Sequence, residues 1–277
     1  MDLNTIEELM TPGLRNELPP WRTGDAWLAG GTWLFSEPQP ALRRLIDLTT
    51  LGWQPIAETP DGLEIAATCT IADLAAFGSD SALPAAALVL QCCEALLGSF
   101  KVWNMATVGG NICMSLPAGP MISLATALDA EAVIWTESGR GPERRCRIPE
   151  LVTGPHENSL QPGDLLRAIR VPLRALHWKT AFRRISLNPI GRSGALLIGT
   201  LDSATDGFAL TVTAATRRPA RLVFPGVPDA GSLGAKLDQL ILPSAYCDDV
   251  HGSPDWRQHV TRLFAEEIRR ELGAAVW

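Results

Sequence analysis

The chain has 277 residues, 46% of them hydrophobic and 19% charged, with a formal net charge of -6. This supplies enough apolar material for a sizeable core in one or two domains, and the acidic balance argues against a general nucleic-acid binder, whose surface is normally basic. The opening residues lack the basic start and apolar stretch of a signal peptide, and no run of about 18 apolar residues predicts a membrane span; a soluble, cytoplasmic protein is the expectation.

In chain order, residues 26–34 read as a short apolar strand running into a double-glycine turn, with the breaker cluster Glu37-Pro38-Gln39-Pro40 behind it. Residues 42–48 read as a helix end leading into a second strand. Residues 62–70 alternate well enough for another strand, and Thr70 is placed to cap a short helix over residues 71–77. Residues 85–97 read as a buried helix stopped by Gly98. Beyond Trp178 the pattern turns mostly β. Residues 195–201 and 208–214 are expected as antiparallel neighbours, joined through a tight turn at Asp206-Gly207. The last element is a helix with Ser253 as N-cap and Pro254 at its first position. Trp256, Val260, Leu263, Phe264, Ile268 and Leu272 share one face, Glu266 and Arg270 lie four apart on the other, and Gly273 is expected to end it.

Six cysteines fall at 69, 92, 93, 113, 146 and 247 with no Cys-x-x-Cys spacing, and are read as reduced, mostly buried thiols. His156, His177, His251 and His259 share no metal-ligand spacing, so no metal site is expected on this chain.

Two glycine pairs carry the chemistry: Ala29-Gly30-Gly31-Thr32 and Thr107-Val108-Gly109-Gly110-Asn111. Each is expected to form a tight loop whose backbone N–H groups converge on a phosphate without a Cβ in the way. Thr32, Thr107 and Asn111 are candidates for added side-chain hydrogen bonds. Either pair alone is more often a simple turn; together, about 80 residues apart, they suit a pyrophosphate held between two lobes. Neither is Gly-x-Gly-x-x-Gly and no Walker pattern occurs, so a Rossmann site is not supported.

The run Leu28-Ala-Gly-Gly-Thr-Trp-Leu34 followed by Leu45-Ile-Asp-Leu48 resembles the first flavin motif of the FAD subunits of the xanthine dehydrogenase, aldehyde oxidoreductase and CO dehydrogenase family of molybdenum hydroxylases. Asn104-Met-Ala-Thr-Val-Gly-Gly-Asn-Ile112 resembles their second, and Leu63-Glu-Ile-Ala-Ala-Thr-Cys-Thr70, Val152-Thr-Gly-Pro155, residues 163–172, Ala181-Phe182-Arg183 and Gly252-Ser-Pro-Asp-Trp-Arg257 follow the family in order. The resemblance implies an α+β chain. Residues 1–176 would form a two-lobed flavin-binding fold of the vanillyl-alcohol-oxidase (PCMH) type, with lobes at about 1–55 and 56–176. Residues 177–277 would form a smaller C-terminal domain with a three-stranded antiparallel sheet and helices. It implies FAD on this chain, with Leu28, Ala29, Gly30, Gly31, Thr32, Trp33 and Leu34 around its pyrophosphate and adenine side. Thr107, Val108, Gly109, Gly110 and Asn111 would come from the second motif, with Met114 and position 120 just beyond, Leu166 against the isoalloxazine and Arg183 near the flavin. The molybdopterin cofactor would sit on a large partner subunit and the [2Fe–2S] clusters on a small one, with NAD+ or another acceptor taking the electrons and no catalytic residue on this chain. Pro120 stands where many family members carry Asp, Trp33 where Asp is common and Trp103 where Arg is common, and the N-terminal segment lacks a tidy amphipathic helix. Two rival readings are a self-sufficient flavin oxidase of the vanillyl-alcohol type and a flavin-free scaffold that kept the fold.

Overall fold

The parallel strands come first, and they place the glycine pair at a strand's carboxyl end. In the computed structural model, which describes residues 3–274, strands β1 (Glu8–Met10), β2 (Asp25–Leu28) and β3 (Arg44–Asp47) form a parallel sheet in the order β1-β3-β2. Met1 and Trp277, the outer bounds of the expected domains, lie outside the described residues. Because β2 and β3 are parallel, the chain must cross over between them, and residues 29–43 do so without the helix end expected before β3. The Arg43 guanidinium instead takes the Pro40 and Leu42 carbonyls, each at 2.8 Å.

This small sheet is pinned by a buried ion pair. Arg44 donates to both carboxylate oxygens of Asp25, at 2.8 and 2.5 Å, and to the Pro20 carbonyl at 2.9 Å. Burial alone would raise the Asp25 carboxyl, but the hydrogen bonds from Arg44 and from the Arg22 N–H outweigh it and hold the group below its ordinary value. A depressed carboxylate contributes stability that is present above its unfolded value and lost as pH falls through the folded one. Asp25→Ala leaves the buried guanidinium with Glu8 at 3.8 Å as its charge partner and without its close hydrogen bonds, so it is expected to cost about 3 kcal/mol in urea unfolding at pH 7, with the difference from wild type shrinking as the pH is lowered below 4. A loss under about 1 kcal/mol at pH 7 would mean that water has replaced the carboxylate.

The second sheet is antiparallel. Strands β4 (Ile56–Thr59), β5 (Gly62–Ala66), β6 (Glu131–Trp135) and β7 (Glu143–Arg147) join β10 (Leu165–Pro172) in the order β4-β5-β10-β6-β7, while β8 (Val152–Gly154) and β9 (Glu157–Asn158) make a separate hairpin. Helices α1 (Ile71–Asp80), α2 (Ala86–Glu94), α3 (Phe100–Trp103), α4 (Val108–Cys113) and α5 (Pro120–Ala127) lie between β5 and β6, with the one-turn helices α6 (Ile148–Leu151) and α7 (Leu173–Leu176) further on. Thr70 caps α1 as expected, its hydroxyl accepting from the Asp73 N–H at 3.1 Å. α2 ends earlier than residue 97, and the left-handed turn after it falls on Leu97 (φ 55°) rather than on Gly98. Gly98 is needed for packing: a Cβ there would lie 2.9 Å from Val102 Cγ1 of α3.

The C-terminal sheet has four strands, not three. β11 (Lys179–Ile185), β12 (Ala195–Leu201), β13 (Phe208–Thr213) and β14 (Ala220–Phe224) run antiparallel in sequence order. β12 and β13 are buried at every position, which is why they read clearly; β11 and β14 are edge strands with Lys and Arg on them. The β12–β13 connection is wider than a two-residue turn. It spans residues 202–207, with Asp206 at φ 59° and Asp202 accepting from the Ala204 N–H. Helices α8 (Ala230–Leu240) and α9 (Pro254–Ala274) pack on this sheet. α9 starts at Ser253 as expected but runs through Gly273 without stopping, and Leu263 is 49% exposed, its place on the buried face taken by Arg257, Thr261 and Ala265. Glu266 does pair with Arg270, and with Arg269 as well.

All eight residues of α5 are buried, and α5 joins the second sheet's helices to the C-terminal sheet, with Ser123 Oγ 2.7 Å from Thr213 Oγ1. Among the described residues no helix is long and apolar enough to cross a membrane. Four of the six cysteines are buried and none is paired, and burial pushes the thiols of Cys69, Cys93 and Cys113 up to about 12.

Candidate functional site

A cleft of about 840 Å³ opens between the β2–β3 crossover, the start of α4 and α5, and residues around the C-terminal sheet. Its volume lies within the range of small-molecule sites. It begins at the carboxyl end of β2, where open parallel sheets commonly bind ligands.

The first glycine pair forms one wall. After β2 the chain makes a single helical turn, closed by the Phe35 N–H donating to the Gly31 carbonyl at 2.8 Å. The leading N–H groups of such a turn have no intrahelical acceptor. Here those of Gly30, Gly31, Thr32, Trp33 and Leu34 donate to no acceptor among the described residues. Gly31 sits at φ 67°, a conformation that suits glycine. Gly30 serves close approach instead, since a Cβ on it would fall 1.6 Å from the Met105 carbonyl oxygen.

The second pair differs from expectation. Val108, Gly109 and Gly110 are not a loop but the first turn of α4, and its N–H groups are already taken. Val108 donates to Cys69 O and Gly109 to Ala67 O, both at 2.9 Å, Gly110 to Thr107 Oγ1 at 3.1 Å and Asn111 to Thr107 O at 3.0 Å. Gly109 is a packing glycine, with Ala67 Cβ 2.5 Å from where its own Cβ would be. Thr107 is spent as the helix cap. The Asn111 carbonyl oxygen accepts from the Met121 N–H at 3.1 Å, while its NH2 has no partner among the described residues.

Residues 22–174 match the family described as the FAD binding domain in molybdopterin dehydrogenase. The chain belongs to this family. It is 33% identical over 124 residues to caffeine dehydrogenase subunit beta of Pseudomonas sp. strain CBB1, covering 44% of this chain and 41% of that one. It is 24% identical over 154 residues to the glyceraldehyde dehydrogenase medium chain of Sulfolobus acidocaldarius, covering 56% and 50%. The aligned part thus spans half or less of these curated relatives. The fold is similar to that of reconstituted CO dehydrogenase from Oligotropha carboxidovorans, with a TM-score of 0.77 at 19% identity over 98% of this chain and 99% of that one. Quinoline 2-oxidoreductase from Pseudomonas putida 86 gives 0.75 at 17% identity, covering 98% of each.

For a domain of this FAD-binding family the cleft is well furnished. Five free backbone donors suit a pyrophosphate. Arg192 and Arg217 line the cleft without an ion-pair partner among the described residues, and Leu28, Leu34, Leu96, Val102 and Met114 supply apolar surface. Leu28, Ala29, Gly30, Gly31, Thr32, Trp33, Leu34, Thr107, Gly110, Asn111, Met114 and Pro120 all line it; Val108, Gly109, Leu166 and Arg183 do not. Val108 and Leu166 are packed in the core beneath, each 3% exposed. Arg183 is held away by Glu267 at 2.7 Å and Glu271 at 2.6 Å on α9. Pro120 occupies the first position of α5, which suits its locked φ.

Three contributions escaped the sequence reading. His156 lines the cleft with its ring centroid 5.7 Å from that of Trp33. The turn at residues 247–251 closes the far wall. Arg257, 1% exposed, holds that wall through the carbonyls of Gly252, Gly194 and Ala214 and through Asp249. The signal for Arg257 was present in Gly252-Ser-Pro-Asp-Trp-Arg257. Ser253 and Pro254 start the helix, Trp256 lies over Gly194 and Gly252, where a Cβ would clash at 2.5 Å, and Arg257 follows into the carbonyl nest.

Proposed function

We propose that this chain is the FAD-carrying electron-transfer subunit of a molybdenum hydroxylase complex. It takes electrons from [2Fe–2S] clusters on a small partner subunit and passes them to NAD+ or another acceptor, while a large molybdopterin-bearing subunit oxidises the organic substrate. The observation that carries this reading is the row of five N–H groups from Gly30 to Leu34, free among the described residues, in the wall of a cleft of about 840 Å³. When bound, FAD supplies the redox chemistry. The residues of this chain bind and orient it: the β2–β3 turn takes the pyrophosphate, the Asn111 NH2 offers a further donor, and the turn at 247–251 excludes water from the far side. The names of two relatives, a subunit beta and a medium chain, support a place in a multi-subunit dehydrogenase. The reading includes the division into an FAD-binding domain, residues 1–176, and a C-terminal domain, residues 177–277, supported by the largely separate hydrophobic clusters of the second and the C-terminal sheets. Family membership favours it over a self-sufficient oxidase.

Titration calorimetry of the full chain with FAD tests the reading, with one FAD bound non-covalently as the expected result. Failure to bind FAD, also when the chain is produced together with its partner subunits, overturns it in favour of a flavin-free scaffold. Pro120 offers neither a side-chain acceptor nor an N–H at a cleft position where a carboxylate would accept from the ribityl hydroxyls. Loose retention of FAD by the isolated chain is therefore expected, and Pro120→Asp should tighten it roughly ten- to hundredfold. A carboxylate is also well placed at the first position of a helix. Nanomolar affinity in the wild type, or no gain in a variant that circular dichroism shows to be folded, would remove position 120 from the contacts.

A further inference from the structure

We propose that His156 is a cofactor-retaining residue: with Trp33 it forms an aromatic clasp in the cleft, and FAD seated on the β2–β3 turn is released only when the two rings part. The inference rests on the FAD-binding reading above and assigns it a residue outside the glycine motifs.

The two rings meet from segments far apart in the chain. Trp33 belongs to the turn whose N–H groups are free, and its own N–H is one of them. His156 sits in the β8–β9 hairpin, 123 positions further along the chain. Their centroids are 5.7 Å apart with the planes tilted by 45°, inside the range of attractive aromatic pairs. Both residues line the cleft, so the pair lies beside the seat that the turn provides for a phosphate.

The backbone under His156 is left-handed and held there by its neighbours. His156 adopts φ 61°, and its N–H donates at 3.1 Å to the carbonyl of Ser115, itself at φ 51° and fully buried. Asn158 Nδ2 adds a 2.9 Å bond to the Cys113 carbonyl, so the hairpin is tied to the end of α4 and the conformation is imposed on it. A left-handed backbone disfavours any side chain with a Cβ, and glycine would be at ease there. The imidazole makes no hydrogen bond among the described residues and packs against the indole of Trp33. Strain kept at a cleft residue whose side chain meets a second cleft residue points to a role for that contact. The clasp also offsets the missing carboxylate at position 120, slowing loss of a cofactor that the cleft holds weakly.

The test loads the full chain with FAD, then dilutes it and follows release by flavin fluorescence for the wild type, Trp33→Ala, His156→Gly and His156→Phe, with urea unfolding of each in parallel. Trp33→Ala and His156→Gly are expected to release FAD on the order of ten times faster. His156→Gly should be no less stable than the wild type, because glycine relieves the left-handed strain, and His156→Phe, which keeps a ring, should keep slow release. A purely structural His156 would move the unfolding midpoint of the glycine variant and leave its release rate unchanged, which overturns the proposal. Acceleration in Trp33→Ala alone overturns the assignment of His156. If the wild type takes up no FAD even when produced together with its partner subunits, this inference and the functional reading fall together; if it binds FAD and all variants release it at the wild-type rate, only the clasp falls.

Discussion

Gly30→Ala should abolish FAD binding while leaving most of the chain folded. The added Cβ would stand 1.6 Å from the Met105 carbonyl oxygen and 2.6 Å from its carbon. These are backbone atoms, so no rotamer change relieves the overlap. The β2–β3 turn and the segment leading into α4 would have to separate, and with them two walls of the cleft. The main cores lie elsewhere: the large clusters are built from the second sheet with its helices and from the C-terminal sheet with α8 and α9. Calorimetry should show affinity falling by more than about a hundredfold, or roughly 2.7 kcal/mol, with the far-ultraviolet dichroism retained. Gly110→Ala is the internal control. Its Cβ would meet only the Thr107 hydroxyl at 3.0 Å, which can shift slightly, so a much smaller loss is expected. Gly31→Val should fall on the severe side, because it combines φ 67° with a clash 2.5 Å from the Phe35 ring. Equal affinities for wild type and Gly30→Ala would show that the contact between the turn and Met105 does not shape the site.

Arg257→Leu should be among the most destabilising single changes around the C-terminal sheet. The guanidinium is 1% exposed and donates to three backbone carbonyls: Gly252 at 2.9 Å, Gly194 at 2.7 Å and Ala214 at 2.7 Å, with Asp249 as its charge partner. Leucine matches much of the apolar stem but leaves these carbonyls without a donor. A buried polar group that loses its partner costs about 1–3 kcal/mol, so a total of about 3–6 kcal/mol is expected in chemical denaturation. The carbonyls belong to three segments that meet at the cleft, so weaker FAD binding should accompany the lost stability. Arg257→Lys keeps the charge but cannot reproduce the planar fork and should fall in between. A cost below about 1 kcal/mol for Arg257→Leu would mean that water substitutes for the guanidinium.

The local elements that sequence determined here are those with strong local chemistry. Thr70 and Ser253 name their helix starts because a hydroxyl before an apolar-periodic run has one good use. β12 and β13 were legible because strands buried at every position are written as continuous apolar runs. The order of the two glycine motifs and of the signatures after them carried the family, and most of the residues they marked do line one cleft.

What the tertiary structure decided is which backbone groups remain free and which side chains reach the cleft. The two glycine pairs look alike as sequence, yet among the described residues only the first presents unpartnered N–H groups. The second is consumed by Cys69, Ala67 and Thr107, which sit beside it only because β5 runs under α4. Arg183 carries a charge that suits a flavin site, but two glutamates of α9, 84 and 88 positions away, reach it first. His156 and Arg257 enter the cleft from a hairpin and a helix that no local pattern connects to Gly30. The segment from Gly252 to Arg257 marks Arg257 locally, but what each of the two touches depends on contacts across the chain, and those leave no periodicity or spacing to read.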